Sequence, residues 1–223
     1  MVRNISGITY DLDGTIVDTD RFHREAWELT SREYGWGLSG EQLYVASKGI
    51  SSKKTLEKVL PPELHGVIDQ AAEAKFRSMI NLMEYAPIEL LSGFGENFAS
   101  LRANELPVGI CTSARQENVE ALRRNKGSPI SSILESLVGK VAWKEMYKEC
   151  KPAAEHLILT CHLIGVDKRK VLYVGDAFSD YQCAQNAGVH FVYFCGENAT
   201  PDEKIPSTVQ RIMDHRELIE LLE

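Results

Sequence analysis

The 223 residues carry 25 basic and 32 acidic side chains, a net charge of −7, and no basic run long enough to read as a nucleic-acid tail, which argues against DNA or RNA as a partner. Hydrophobic residues make up 43% and charged residues 26%, the make-up of an ordinary globule with one large domain or one core with a small insertion. No apolar stretch approaches membrane-spanning length and no basic segment leads an apolar run at the N-terminus, so neither a membrane partner nor a secretory signal is expected. The five cysteines form no C-x-x-C pair, and Cys111, Cys183 and Cys195 sit among apolar or small residues, which fits a reduced, cytoplasmic compartment.

The chain opens on a strand. Ile5, Ile8, Thr9 and Tyr10 favour extended backbone, and Gly14 ends the run. So short an apolar strand reads as the buried centre of a parallel sheet. Asp11 and Asp13 stand at its C-terminal end, where ligands bind in open α/β sheets. Alternate residues of an extended chain point the same way, so both carboxylates can face one pocket. Their repulsion and desolvation would be relieved by a divalent cation, and oxygen donors suit Mg²⁺.

Helical patterns follow over residues 20–34, 41–47, 52–60 and 63–85, with no strand signal between them. Residues 17–85 are therefore expected to form an all-helical insertion, and residues 1–16 with 86–223 an α/β core. In that core the pattern alternates. Helices are expected over 92–104, 114–125, 152–164, 179–187 and 214–222. Strands are expected over 106–111, 133–138, 171–175 and 190–194, and 140–150 reads as loop. Alternation of this kind gives a doubly wound parallel sheet.

Chemistry-bearing residues recur at the strand ends. Thr112 and Ser113 end the second strand, and the Thr112 hydroxyl with the Ser113 and Ala114 amides could bind a phosphate at a helix N-terminus. Taken alone, the same residues serve equally well as a helix cap. Lys151 precedes Pro152 at the expected start of a helix. Its ammonium could neutralise a phosphate, although a lone lysine is more often a solvated surface group; Lys144 and Lys148 do not precede proline. Asp176 ends the strand over 171–175. Asp180 falls in the first turn of the next helix, where it also complements the helix dipole.

Asp11-Leu12-Asp13-Gly14-Thr15, the strand ending in Thr112, Lys151-Pro152 and Gly175-Asp176-Ala177-Phe178-Ser179-Asp180 resemble, in order, the four motifs of the haloacid dehalogenase superfamily. The likeness runs over nearly the whole chain. It implies a Rossmann-like core with a helical cap inserted after the first motif, as in β-phosphoglucomutase-like and phosphoglycolate phosphatase-like members. It further implies a Mg²⁺-dependent phosphatase in which Asp11 is the nucleophile and Asp13 the general acid/base. Thr112, Ser113, Ala114 and Lys151 would hold the phosphoryl group, with Gly14 and Arg115 beside it. Asp11, Asp13 (through its carbonyl), Asp176 and Asp180 would make the metal site. The partner implied is a small-molecule phosphomonoester, acting on a monomer or weak homodimer whose cap closes over the leaving group.

In the cap, Asp18-Thr19-Asp20-Arg21-Phe22-His23-Arg24-Glu25-Ala26-Trp27 resembles the D-T-x-x-x-H-x-x-A-W stretch of the β-phosphoglucomutase-like enzymes, and Lys48-Gly49-Ile50-Ser51-Ser52 their K-G-x-S-R loop. His23, Lys48, Gly49 and Lys53 are the substrate contacts this implies. On pattern alone, His23 is as readily a packed residue beside an apolar stripe. Two departures favour hydrolysis over mutase transfer. Ser52 stands where mutases carry Arg, and Gly175-Asp176 where they carry Glu-Asp. A module that senses a phosphorylated metabolite is the non-catalytic alternative, and the intact acidic and lysine positions speak against it.

Overall fold

The computed structural model describes residues 4–47, 50–196 and 202–222. The chain divides into two compact units: Met1–Asp18 with Ile88–Glu223, and Thr19–Pro87.

The larger unit is built on six parallel strands: β1 (Gly7–Tyr10), β2 (Val108–Cys111), β3 (Val141–Ala142), β4 (Val171–Gly175), β5 (His190–Phe194) and β6 (Arg211–Ile212). They lie in the order β3-β2-β1-β4-β5-β6. β1 is central, with Ile8 paired to Val108 on one side and to Leu172 on the other. Every residue of β1, β2 and β4 is buried, so these strands read as continuous apolar runs.

Alternation along the strands feeds two helical layers. Thr9, Gly109 and Tyr173 share one register row. On that face Leu157, Cys161 and Ile164 pack against Tyr173, Cys183 and Ala184, bringing in α8 (Glu155–Leu163) and α9 (Phe178–Ala187). On the opposite face the Tyr10 ring meets Phe94 edge-on at 5.1 Å, on α5 (Phe94–Ala103). The short α10 (Glu217–Leu222) buries Leu218, while α6 (Gln116–Arg124) and α7 (Pro129–Ser136) lie between β2 and β3 in sequence.

The smaller unit is all-helical: α1 (Asp20–Tyr34), α2 (Gly40–Ser47), α3 (Ser52–Val59), a 3-10 turn over Pro62–Val67, and α4 (Ile68–Tyr85). Trp27, Leu43, Tyr44, Leu56, Leu60, Ile68 and Ala71 form its core. No described helix is long and apolar enough to cross a membrane.

Several expected elements differ. The strand expected over 133–138 is the helix α7. Ile130, Ile133, Leu134 and Leu137 are its buried residues and C-cap, at i, i+3, i+4 and i+7, with Pro129 in the first turn. The third strand instead lies at Val141–Ala142, in the segment read as loop, and is too short to leave a pattern. β6 is likewise too short to be seen in the sequence. α6 starts at Gln116 rather than Ala114, and α8 at Glu155 rather than Pro152.

Gly109 marks a close approach of a helix to the sheet. A Cβ there would lie 2.7 Å from both Ile164 Cγ2 and Thr160 Cγ2. Gly109→Ala is therefore expected to overpack the β2–α8 contact and destabilise the fold by about 1–3 kcal/mol. Urea unfolding should show a lower midpoint at unchanged m-value, and an unchanged midpoint would contradict this packing.

Candidate active site

Three of the strand ends supply the site. The Asp11 amide still donates to the Val174 carbonyl at 2.9 Å, carrying the sheet ladder one residue beyond β1. That bond fixes Asp11 next to the end of β4, where Gly175 passes into Asp176. Gly14 makes their approach possible. Its φ is +79°, and a Cβ at that position would stand 2.4 Å from Asp176 Oδ2. Thr15 then donates its hydroxyl to Asp176 Oδ1 at 2.8 Å.

Asp180 enters from the first turn of α9 and is fully buried. Its Oδ2 accepts from the Ala177 amide at 3.0 Å, closing the helix N-terminus. Its Oδ1 accepts from the Tyr173 hydroxyl at 2.8 Å and pairs with Lys151 Nζ at 2.5 Å. The same ammonium lies 2.6 Å from Asp11 Oδ1. Asp11, Asp176 and Asp180 each offer a carboxylate oxygen within 4.8 Å of the others.

One ammonium thus pairs with two of three clustered carboxylates. Burial pushes the Asp11 carboxyl well above the usual carboxylate range against the pull of Lys151, and Asp180, Asp176 and Asp13 push the same way. Burial, and then Asp180, push Asp176 up to about 7. Burial opposes the charge on Lys151, but Asp11 and Asp180 outweigh it and hold the ammonium well above the ordinary lysine range. Lys151 therefore stays charged, and the surplus negative charge calls for a proton or a cation.

Thr112 follows β2. Its hydroxyl is 3.5 Å from Asp13 Oδ2, a long contact, and accepts from the Ala114 amide at 3.0 Å. The Ala114 amide, expected to meet a phosphate oxygen, is thus taken by Thr112. Arg115 is the N-cap of α6, and the first amide of that helix, at Gln116, donates to Glu145 Oε2 at 2.9 Å. The Lys144 amide donates to the Ala114 carbonyl at 2.9 Å and the Tyr147 hydroxyl to the Thr112 carbonyl at 3.1 Å. The segment read as loop therefore braces the Thr112 turn at three points.

In the helical unit, His23 Nδ1 lies 2.8 Å from Lys75 Nζ. Burial, followed by Lys75, lowers His23 to about 4, and burial lowers Lys75 to about 8. The ammonium can only donate, so Nδ1 accepts and the ring proton resides on Nε2. Lys53 pairs with Asp69 at 2.7 Å on the surface. Lys48 and Gly49 lie outside the described residues.

Sequence reading thus missed Thr15, Tyr173, Glu145, Tyr147 and Lys75 as contributors. Thr15 lies inside the first motif and was open to notice. Lys75 hides in an amphipathic helical pattern, and nothing in the sequence singles out the others.

A doubly wound sheet with acidic residues after β1 and β4, a hydroxyl residue after β2 and a buried lysine between the acids defines a class of α/β hydrolytic enzymes. The sequence model of the haloacid dehalogenase-like hydrolases matches residues 8–194, and the chain belongs to that family. Among curated proteins it is 28% identical over 188 residues to a phosphoglycolate phosphatase of Yersinia pestis, covering 82% of this chain and 78% of that one. It is 24% identical over 197 residues to protein CbbY of Cereibacter sphaeroides, covering 84% and 83%. Among solved structures, CbbY from Rhodobacter sphaeroides in complex with xylulose-(1,5)bisphosphate superposes with a TM-score of 0.75 at 23% identity, over 96% of each chain.

The raised Asp176 carboxyl yields a test of the site's charge balance. In the unfolded chain an aspartate releases its proton near pH 4, whereas the folded chain holds it to about pH 7. Asp176 therefore lowers stability as pH rises through that window. Asp176→Asn keeps an acceptor for Thr15 and loses the charge. In chelator-treated protein it should melt higher than wild type at pH 8, with the difference vanishing near pH 4. A variant less stable at pH 8 would contradict the burial of surplus charge.

Proposed function

We propose that the chain is a Mg²⁺-dependent phosphatase that hydrolyses a small phosphorylated metabolite, a sugar phosphate or a phosphoglycolate-like monoester, through a phosphorylated Asp11. The observation that supports this best is the meeting of Asp11, Asp176, Asp180 and Lys151 within one cluster at the ends of β1 and β4. The names of the relatives, phosphoglycolate phosphatase among them, favour the same substrate class.

The donor set fits Mg²⁺. It consists of hard carboxylate oxygens, carries surplus negative charge, and includes neither nitrogen nor sulfur. Asp11, Asp176 and the Asp13 carbonyl would hold the ion, and Asp180, fastened by Tyr173, Lys151 and the Ala177 amide, would orient the cluster. Bound there, Mg²⁺ would neutralise the carboxylates and draw charge from the phosphoryl oxygens.

The chain's own residues do the rest. The Asp11 carboxylate attacks phosphorus, forming the Asp11–phosphorus bond as the ester oxygen leaves in line. Asp13 donates its proton to that oxygen, releasing the alcohol. It then takes a proton from water as the water attacks phosphorus, freeing phosphate and restoring Asp11. The Thr112 hydroxyl, the Ser113 amide and Lys151 hold the phosphoryl oxygens. In the helical unit, His23, Lys48, Gly49 and Lys53 are proposed to contact the rest of the substrate. Ser52 stands where mutases carry Arg, and a lysine such as Lys53, paired with Asp69 at 2.7 Å, cannot grip a second phosphate bidentately. Hydrolysis is favoured over phosphomutase transfer on that ground.

Phosphate release from a panel of phosphorylated metabolites with Mg²⁺ tests the assignment, and release from none would overturn it. With β-glucose 1-phosphate and a trace of the 1,6-bisphosphate, free phosphate should outpace glucose 6-phosphate. Asp11→Asn should abolish turnover and leave no phosphoenzyme, because an amide is a poor nucleophile. Asp13→Ala should lower kcat about a hundred- to ten-thousand-fold while calorimetry still registers Mg²⁺ uptake. Loss of Mg²⁺ uptake in Asp13→Ala as severe as in Asp176→Ala would refute this division of roles.

A further inference from the structure

His215 is fully buried between β6 and α10, with its amide donating to the Ser92 carbonyl at 2.9 Å. Its ring stacks on Phe194 at 4.3 Å between centroids and meets the edges of Phe94 at 5.2 Å and Tyr10 at 5.7 Å. An apolar side chain would fill such an aromatic niche without burying ring nitrogens. Indeed Nδ1 has no hydrogen-bond partner among the described residues, an unfavourable arrangement that packing alone does not require.

The other nitrogen explains the histidine. Nε2 lies 2.7 Å from the Thr15 carbonyl oxygen. A carbonyl cannot donate, so Nε2 carries the proton and donates it. Burial lowers the ring to about 4, which keeps it neutral near pH 7. Thr15, itself fully buried, then donates its hydroxyl to Asp176 Oδ1 at 2.8 Å. A residue 200 positions away therefore grips the backbone of the residue whose hydroxyl holds Asp176.

We propose that His215 is a positioning residue, holding the Thr15 backbone and, through the Thr15 hydroxyl, orienting Asp176 toward the cation, a role that rests on Asp176 being a Mg²⁺ ligand. Groups hydrogen-bonded directly to a metal ligand, as Thr15 is to Asp176, typically govern affinity by about ten- to a hundredfold, and His215, which sets the position of that group, should act at the low end of this range. A donor at the right reach should suffice. The amide nitrogen of Gln reaches the position of His Nε2, that of Asn stops near Nδ1, and Leu offers none.

The test titrates Mg²⁺ alone, without substrate, into full-length chelator-treated protein by calorimetry. The variants are His215→Gln, His215→Asn and His215→Leu, with kcat and KM for an aryl phosphate measured at saturating Mg²⁺. The Asn and Leu variants should bind Mg²⁺ about tenfold or more weakly, and the Gln variant should stay within a few-fold of wild type. KM for the aryl phosphate should not move, since His215 touches no substrate group. In the Thr15→Val background, where the relay is already cut, His215→Asn should cost no further Mg²⁺ affinity. Asn and Leu variants that bind Mg²⁺ like wild type would overturn the role, as would a Gln variant that falls with them. If the Leu variant fails to fold, the Gln–Asn comparison separates the same two outcomes. Wild-type protein that takes up no Mg²⁺ would instead overturn the metal site itself.

Discussion

The arrangement depends on one imbalance of charge: a buried ammonium shared by two carboxylates, with a third close by. Lys151 binds Asp11 and Asp180 together, and Asp176 is left to Thr15. Neutralising every charge would make a more stable core, since buried ion pairs rarely repay their desolvation. The surplus is held in place by separate fastenings: the Ala177 amide and Tyr173 hydroxyl on Asp180, the Thr15 hydroxyl on Asp176, and Lys151 on Asp11, whose own amide is tied to the Val174 carbonyl. The cluster holds more negative than positive charge, and a proton or a cation there would relieve the excess.

The sheet order accounts for how distant segments meet. With β1 between β2 and β4, the residues after all three strands emerge at one edge. Asp11, Thr112 and Asp176 come together because their strands are neighbours, not because their sequence positions are close. Lys151 and Asp180 arrive from the segments that precede α8 and open α9, the two helices that cover the Tyr173 face. Tyr173 is thus both a core residue and a hydrogen-bond donor to Asp180. Its ring packs near Phe191 while its hydroxyl holds Asp180.

Much of this is legible in the amino-acid order itself. Asp11, Asp13, Thr112, Lys151, Asp176 and Asp180 announce themselves as chemistry-bearing residues at strand ends or helix starts, and the alternation of strands and helices gives the fold class. What escapes is short or local. A two-residue strand such as Val141–Ala142 has no period to detect, and residues 133–138 carry an apolar run that fits strand or helix until Ile130 and Pro129 are counted. The capture of the Ala114 amide by Thr112 is invisible because a hydroxyl's choice between backbone and ligand is not written in its neighbours. Lys75, His215 and Tyr147 each act through a partner more than thirty residues away, a kind of pairing that spacing cannot reveal.

The brace made by Lys144, Glu145 and Tyr147 has a bearing on how this chain tolerates change. These residues grip the Thr112–Gln116 turn, and the same stretch runs on directly into Lys151. Two elements of the site are therefore coupled mechanically by a few residues of backbone. An insertion or deletion between positions 147 and 151 would pull the lysine against a fixed anchor. Length variation among relatives should accordingly avoid this stretch, and a designer grafting loops into this scaffold would leave it intact.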